Sequence, residues 1–110
     1  MAELAAQIRS RLSLVLKALP PPVSEADRKT LSLATDIAKS YYAADTKYLG
    51  EPLPLYFIEL ARVTASVIGL NLPAVISAML SGVREGSEAW DRIDTLNDPS
   101  IKQVIRGLSR

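Results

Sequence analysis

The 110-residue sequence has no cysteine and no histidine. Without cysteine there is no disulfide, no thiolate nucleophile and no cysteine zinc site. Without histidine it lacks the side chain that titrates nearest neutrality and the commonest metal ligand. A Ser-His-Asp triad, a histidine general base and an imidazole metal site are therefore excluded from this chain alone. Aromatics are few: one phenylalanine, one tryptophan and four tyrosines. No apolar run reaches the ~18 residues of a membrane-spanning helix. An excess of one charge is also missing, since thirteen Lys and Arg against twelve Asp and Glu leave +1. That is too little to argue for nucleic acid or an anionic membrane as partner. Arg9, Arg11, Lys17, Arg28 and Lys29 form no dense run either. The first turn, Met1-Ala2-Glu3-Leu4, carries an acid where a signal peptide carries bases, so a cytoplasmic location is expected.

What is present is the composition of an ordinary globular domain, 48% apolar and 23% charged, which excludes disorder as the main state. Six helical segments and no strand are expected, giving an all-α bundle with short connections. Leu4, Ile8, Leu12, Val15, Leu16 and Leu19 recur at helical steps until Pro20-Pro21-Pro22. Ser24 reads as the cap of a second helix, with Glu25 and Asp27 in its first turn and an apolar face of Leu31, Ala34, Ile37, Ala38 and Tyr41. Asp45 to Pro54 reads as a loop because of Gly50, Pro52 and Pro54. A third helix is expected from about Leu55 to Ile68, stopped by Gly69. Pro73 suits the first turn of a fourth, which is apolar on nearly every side through Val75, Ile76, Ala78, Met79 and Leu80 and so should be central. Ser87 and Asp98-Pro99 open two more. The apolar pattern is unfinished at Arg110, so residues 1–110 are expected to be one domain of a longer protein.

The run LATDIAKSYYAADTKYLGEPLPLYFIELARVTASVIGLNLPAVISAMLSGVREG resembles the start of the HD-type hydrolase domain of RelA/SpoT-type enzymes, which make and destroy the alarmone (p)ppGpp. Gly50-Glu51-Pro52 stands as that family's loop, Glu59-Leu60-Ala61 at the start of its next helix, and Met79-Leu80 where Leu-Leu precedes a His-Asp pair. The likeness spans about Leu31 to Gly86. It implies an HD-like helical bundle in which two histidines and an aspartate would hold a divalent metal, manganese, that activates water against a pyrophosphate.

In this chain those positions are altered. The first metal-ligand histidine falls on Tyr56, the His-Asp pair on Ser81-Gly82, and the family's Glu-Asp on Glu85-Gly86. A phenol, a hydroxyl and a glycine do not replace imidazole and carboxylate at a metal. The resemblance therefore implies a catalytically inactive hydrolase-like domain with no cofactor. Tyr56→His, Ser81→His and Gly82→Asp together would be expected to return metal affinity but not activity. The family's basic residue before the loop falls on Lys47, flanked by Thr46, Tyr48 and Leu49. An anion or nucleotide remnant, if one persists, would involve Lys47, Tyr48, Gly50, Glu51 and Arg84. The plain alternative for Lys47 and Arg84 is two separate solvated charges.

Other candidates have plain readings beside the sharp ones. Glu85 is a surviving general base or a solvated helix-end carboxylate; Ser81 is a small packing residue rather than a nucleophile, having no base. Tyr41, Tyr42, Tyr48 and Tyr56 either stack on a base or fill a former cleft. Trp90 is a core anchor or an interface residue. Three functions stay open: a regulatory pseudo-hydrolase domain packed on a downstream synthetase domain that transfers pyrophosphate from ATP to GTP, with a homodimer possible; a helical interaction module unrelated to alarmones; and a carboxylate-metal enzyme using Asp45, Glu51 and Glu85.

Overall fold

In the computed structural model, which describes residues 2–43, 46–48 and 50–108, the chain is an all-α bundle of six helices. They are α1 (Ala2–Ala18), α2 (Glu25–Tyr41), α3 (Leu53–Val63), α4 (Leu72–Met79), α5 (Glu88–Arg92) and α6 (Pro99–Leu108). A π-helical turn (Thr64–Ile68) prolongs α3 and a 3₁₀ turn (Ile93–Leu96) prolongs α5. Among the described residues no helix is long and apolar enough to cross a membrane.

The starts and stops follow from local chemistry. Ser24 Oγ accepts the Asp27 N–H while the Asp27 carboxylate accepts the Ser24 N–H, a reciprocal cap on α2. Asn71 and Ser87 cap α4 and α5 through Ala74 and Trp90 N–H. Gly69 ends the π turn at φ 80°, a left-handed conformation that a β-carbon disfavours, and its N–H returns to the Thr64 carbonyl.

α4 is the central helix. Every residue from Val75 to Leu80 is buried, and Ser77 is tolerated there because its hydroxyl donates to the Pro73 carbonyl at 2.8 Å. α3 packs on α1 and α4, and α4 also receives α2 and α6. Val15, Ile37, Ile58, Ile76, Met79, Leu80, Ile93, Ile101 and Ile105 form the centre of one continuous core. Each such side chain contributes about 1.5–3 kcal/mol by leaving water.

Three details differ from the sequence expectation. The stretch read as loop contains a two-residue hairpin, β1 (Lys47–Tyr48) antiparallel to β2 (Glu51–Pro52), with Lys47 opposite Pro52 and Tyr48 opposite Glu51. α3 begins at Leu53 rather than Leu55, because Pro54 fits a first helical turn, where its missing N–H costs nothing. Tyr41 is only half-buried; Tyr42, just past the end of α2, is the buried one. Asp45 and Leu49 lie outside the described residues.

Candidate functional site

The positions singled out by sequence come from three segments: the hairpin, α3 and the turn after α4. The turn is built by Ser81 N–H bonding the Ala78 carbonyl and Val83 N–H bonding the Leu80 carbonyl. Ser81 Oγ donates to the Ala78 carbonyl at 2.8 Å, so its hydroxyl closes the helix end.

Two consecutive tyrosines hold this turn. Tyr42 takes an extended backbone (ψ 125°) where α2 stops, which turns its ring into the core. Its hydroxyl donates to the Met79 carbonyl at 2.9 Å and accepts the Gly82 N–H at 3.1 Å. The Tyr41 hydroxyl accepts the Arg84 N–H at 3.1 Å. Burial pushes the Tyr42 pKa far up from its ordinary 10.0; the Gly82 bond opposes this and Tyr41 adds to it. The group is neutral throughout the physiological range and serves as a fixed hydrogen-bonding post.

Tyr42 stacks face to face on Phe57, with centroids 4.1 Å apart and planes 6° from parallel. Phe57 meets Tyr56 edge-on at 5.1 Å, and Tyr56 meets Tyr48 edge-on at 4.7 Å. Tyr41 abuts Tyr42 at 5.5 Å. Every aromatic residue except Trp90 thus belongs to one chain of rings, from the buried Tyr42 out to the exposed Tyr48. Tyr42 and Phe57 pack around the turn, whereas Tyr48 is exposed, and the Tyr42 hydroxyl bonds backbone rather than reaching water. Sequence reasoning missed Phe57. Being the lone phenylalanine, beside Tyr56, was its only signal.

The Phe57 ring occupies the space a side chain at position 82 would need. A β-carbon on Gly82 would meet Phe57 Cζ at 2.5 Å and Tyr42 Cε1 at 3.0 Å. A carboxylate at position 82 therefore requires Phe57 or Tyr42 to shift. The donor set fails independently. Tyr56, Ser81 and Gly82 supply a phenol, a hydroxyl already donated to backbone and no side chain at all. Among the described residues no group of three potential acidic, histidine or cysteine ligands could hold a metal ion. The residues do not fit the divalent metal that the resemblance implies.

The remaining candidates are engaged or apart. Glu85 is exposed and pairs with Arg106 of α6 at 2.9 Å. Gly86, at φ 90°, completes the turn before Ser87. Gly50, at φ 83°, lies in the hairpin turn. Glu51 is tied to Arg11 of α1 at 2.9 Å, and Arg11 also approaches Glu59 at 3.4 Å, which Arg62 clasps at 2.7 Å. The Arg62 hydrogen bonds lower the Glu59 pKa, with partial burial opposing and the charges of Arg62 and Arg11 assisting. Lys47 and Arg84 are both exposed, and neither side chain has an ion pair or hydrogen bond with a described residue. Trp90 is buried, with Lys102 Nζ 4.9 Å and Arg106 Cζ 5.4 Å from its ring centre.

No family model, curated protein or solved structure matches this chain.

Proposed function

We propose that this chain is a catalytically inert, hydrolase-like regulatory domain of RelA/SpoT type. The observation that carries the reading is the Tyr42–Phe57 stack against Gly82. Of the positions that the resemblance assigns to a metal, Gly82 after α4 lies against the Phe57 ring, which meets Tyr56 of α3 edge-on, and Tyr56, Ser81 and Gly82 offer neither imidazole nor carboxylate. The ring contact between α3 and the turn supports a former site, and the missing donors support its loss. In this reading a synthetase region of the same protein, transferring pyrophosphate from ATP to GTP, is the partner. The domain biases that region through packing and not through chemistry of its own.

The experiment has two arms. Purified chain is incubated with (p)ppGpp and manganese, and pyrophosphate release is followed. No release above the metal-only blank is expected, and calorimetry with manganese should give no one-to-one isotherm. Turnover that disappears in Glu85→Gln would overturn the inertness. Reading the coding sequence past Arg110 tests the family. A synthetase region supports it, and a stop codon removes it.

A second reading, a helical interaction module unrelated to alarmones, is favoured by one feature. Val67, Ile68 and Leu70 are 73%, 62% and 42% exposed around Gly69, an apolar knob between α3 and α4.

A further inference from the structure

α1 and α2 are consecutive in the chain, yet α1 packs chiefly on α3, and α2 on α4, α5 and the 3₁₀ turn after α5. Between them runs an open trough of about 270 Å³. Ile8, Leu12, Leu16 and Leu31, buried or half-buried, make its floor. Its exposed rim holds Arg9, Arg28 and Lys39 with one carboxylate, Asp36. None of the three cations has an ion pair with a described residue. Three cations against one acid leave +2 on the rim of a chain whose total is +1.

We propose that this trough docks an acidic amphipathic helix of a partner protein. The lining runs from Ala5 to Leu16 and from Arg28 to Lys39, about three turns or ~16 Å of each helix. An open apolar furrow of that length suits a rod presenting apolar side chains at i, i+4 and i+7. A small ligand, by contrast, is held by a pocket that encloses most of its surface. The unpaired rim selects sign: carboxylates flanking the apolar stripe are attracted, and a basic helix is repelled. The α1 of a second copy fits poorly, because its exposed Leu14 is flanked one turn away by Arg11 and Lys17. The inference does not depend on the alarmone reading.

The probe is a fluorescein-labelled synthetic helix of about four turns, with leucines at those spacings and flanking glutamates. Its control carries lysines in place of the glutamates. Anisotropy titration of the intact chain at low salt should show saturable binding of the acidic helix. The basic control should bind at least about tenfold more weakly, and added salt should weaken the acidic complex. Arg9→Glu with Arg28→Glu, both exposed, should abolish binding while leaving the thermal melt unchanged. Equal binding of both helices, no binding of either, or indifference to the double variant would overturn the proposal. So would sedimentation showing that the trough pairs two copies of the chain, or capture by anionic phosphatidylserine vesicles without capture of the helix.

Discussion

Gly82 and Phe57 are fitted to one another: any β-carbon on the first lies 2.5 Å from Cζ of the second. The phenyl ring cannot swing away freely, because its face is stacked on Tyr42. Gly82→Ala should therefore lower stability by about 1–3 kcal/mol through overpacking. Adding Phe57→Leu should recover part of that loss, so the double variant is more stable than the sum of the single effects. Chemical denaturation of the four proteins checks this, and strict additivity would show that the two residues do not compete.

Tyr42→Phe removes a hydroxyl that serves the Met79 carbonyl and the Gly82 N–H together. A loss of about 1–3 kcal/mol is expected at neutral pH. The folded pKa lies above the ordinary 10.0, so the folded state keeps the proton that the unfolded chain releases. The contribution of the hydroxyl is thus fully present below pH 10.0 and declines above it. Melting temperatures of the two proteins should converge as pH rises past that point. A gap independent of alkaline pH would contradict the burial of the group.

Glu59→Gln gives the opposite sign. The Glu59 pKa is lowered in the folded state, so its pairing with Arg62 stabilises above the ordinary value of 4.5 and is lost as pH falls through the lower folded value. The side chain is 31% exposed, and a pair so placed contributes no more than about 1 kcal/mol. The difference in melting temperature between wild type and Glu59→Gln should be small and constant near neutrality and vanish in acid. Salt should shrink it too.

Leu80→Asp places a carboxylate at a position with 0% exposure. An unpaired buried charge costs several kcal/mol, comparable with a small domain's whole stability of ~5–15 kcal/mol. The variant should lack a cooperative melt. A transition like that of wild type would refute the central place of α4.

The helices, and limits such as those set by Ser24 and Gly69, were legible because their causes are local. Ser24 caps α2 through a residue three positions away, and Gly69 stops a helix by its own backbone. The burial of α4 could be read from a segment apolar all round. The hairpin could not, because each strand has two residues and its anchor, Arg11, lies forty positions from Glu51. Neither could the ring against Gly82. Adjacent Tyr56 and Phe57 both fit an apolar helix, and only the packing of α3 on α4 decides which meets the turn. Nothing in the sequence signals that the Phe57 ring lies against Gly82, because that contact joins residues 25 positions apart.

Trp90 has an optical consequence. It is the only tryptophan, it is buried in α5, and both cations stacked on its ring come from α6. Its emission under selective excitation therefore senses the docking of the last helix, separately from the tyrosine signal, which arises around α3 and the turn after α4. If α6 frays before the rest of the bundle melts, tryptophan fluorescence will shift to the red while far-ultraviolet dichroism is still close to its folded value. The chain thus carries its own spectroscopic marker for the detachment of one helix.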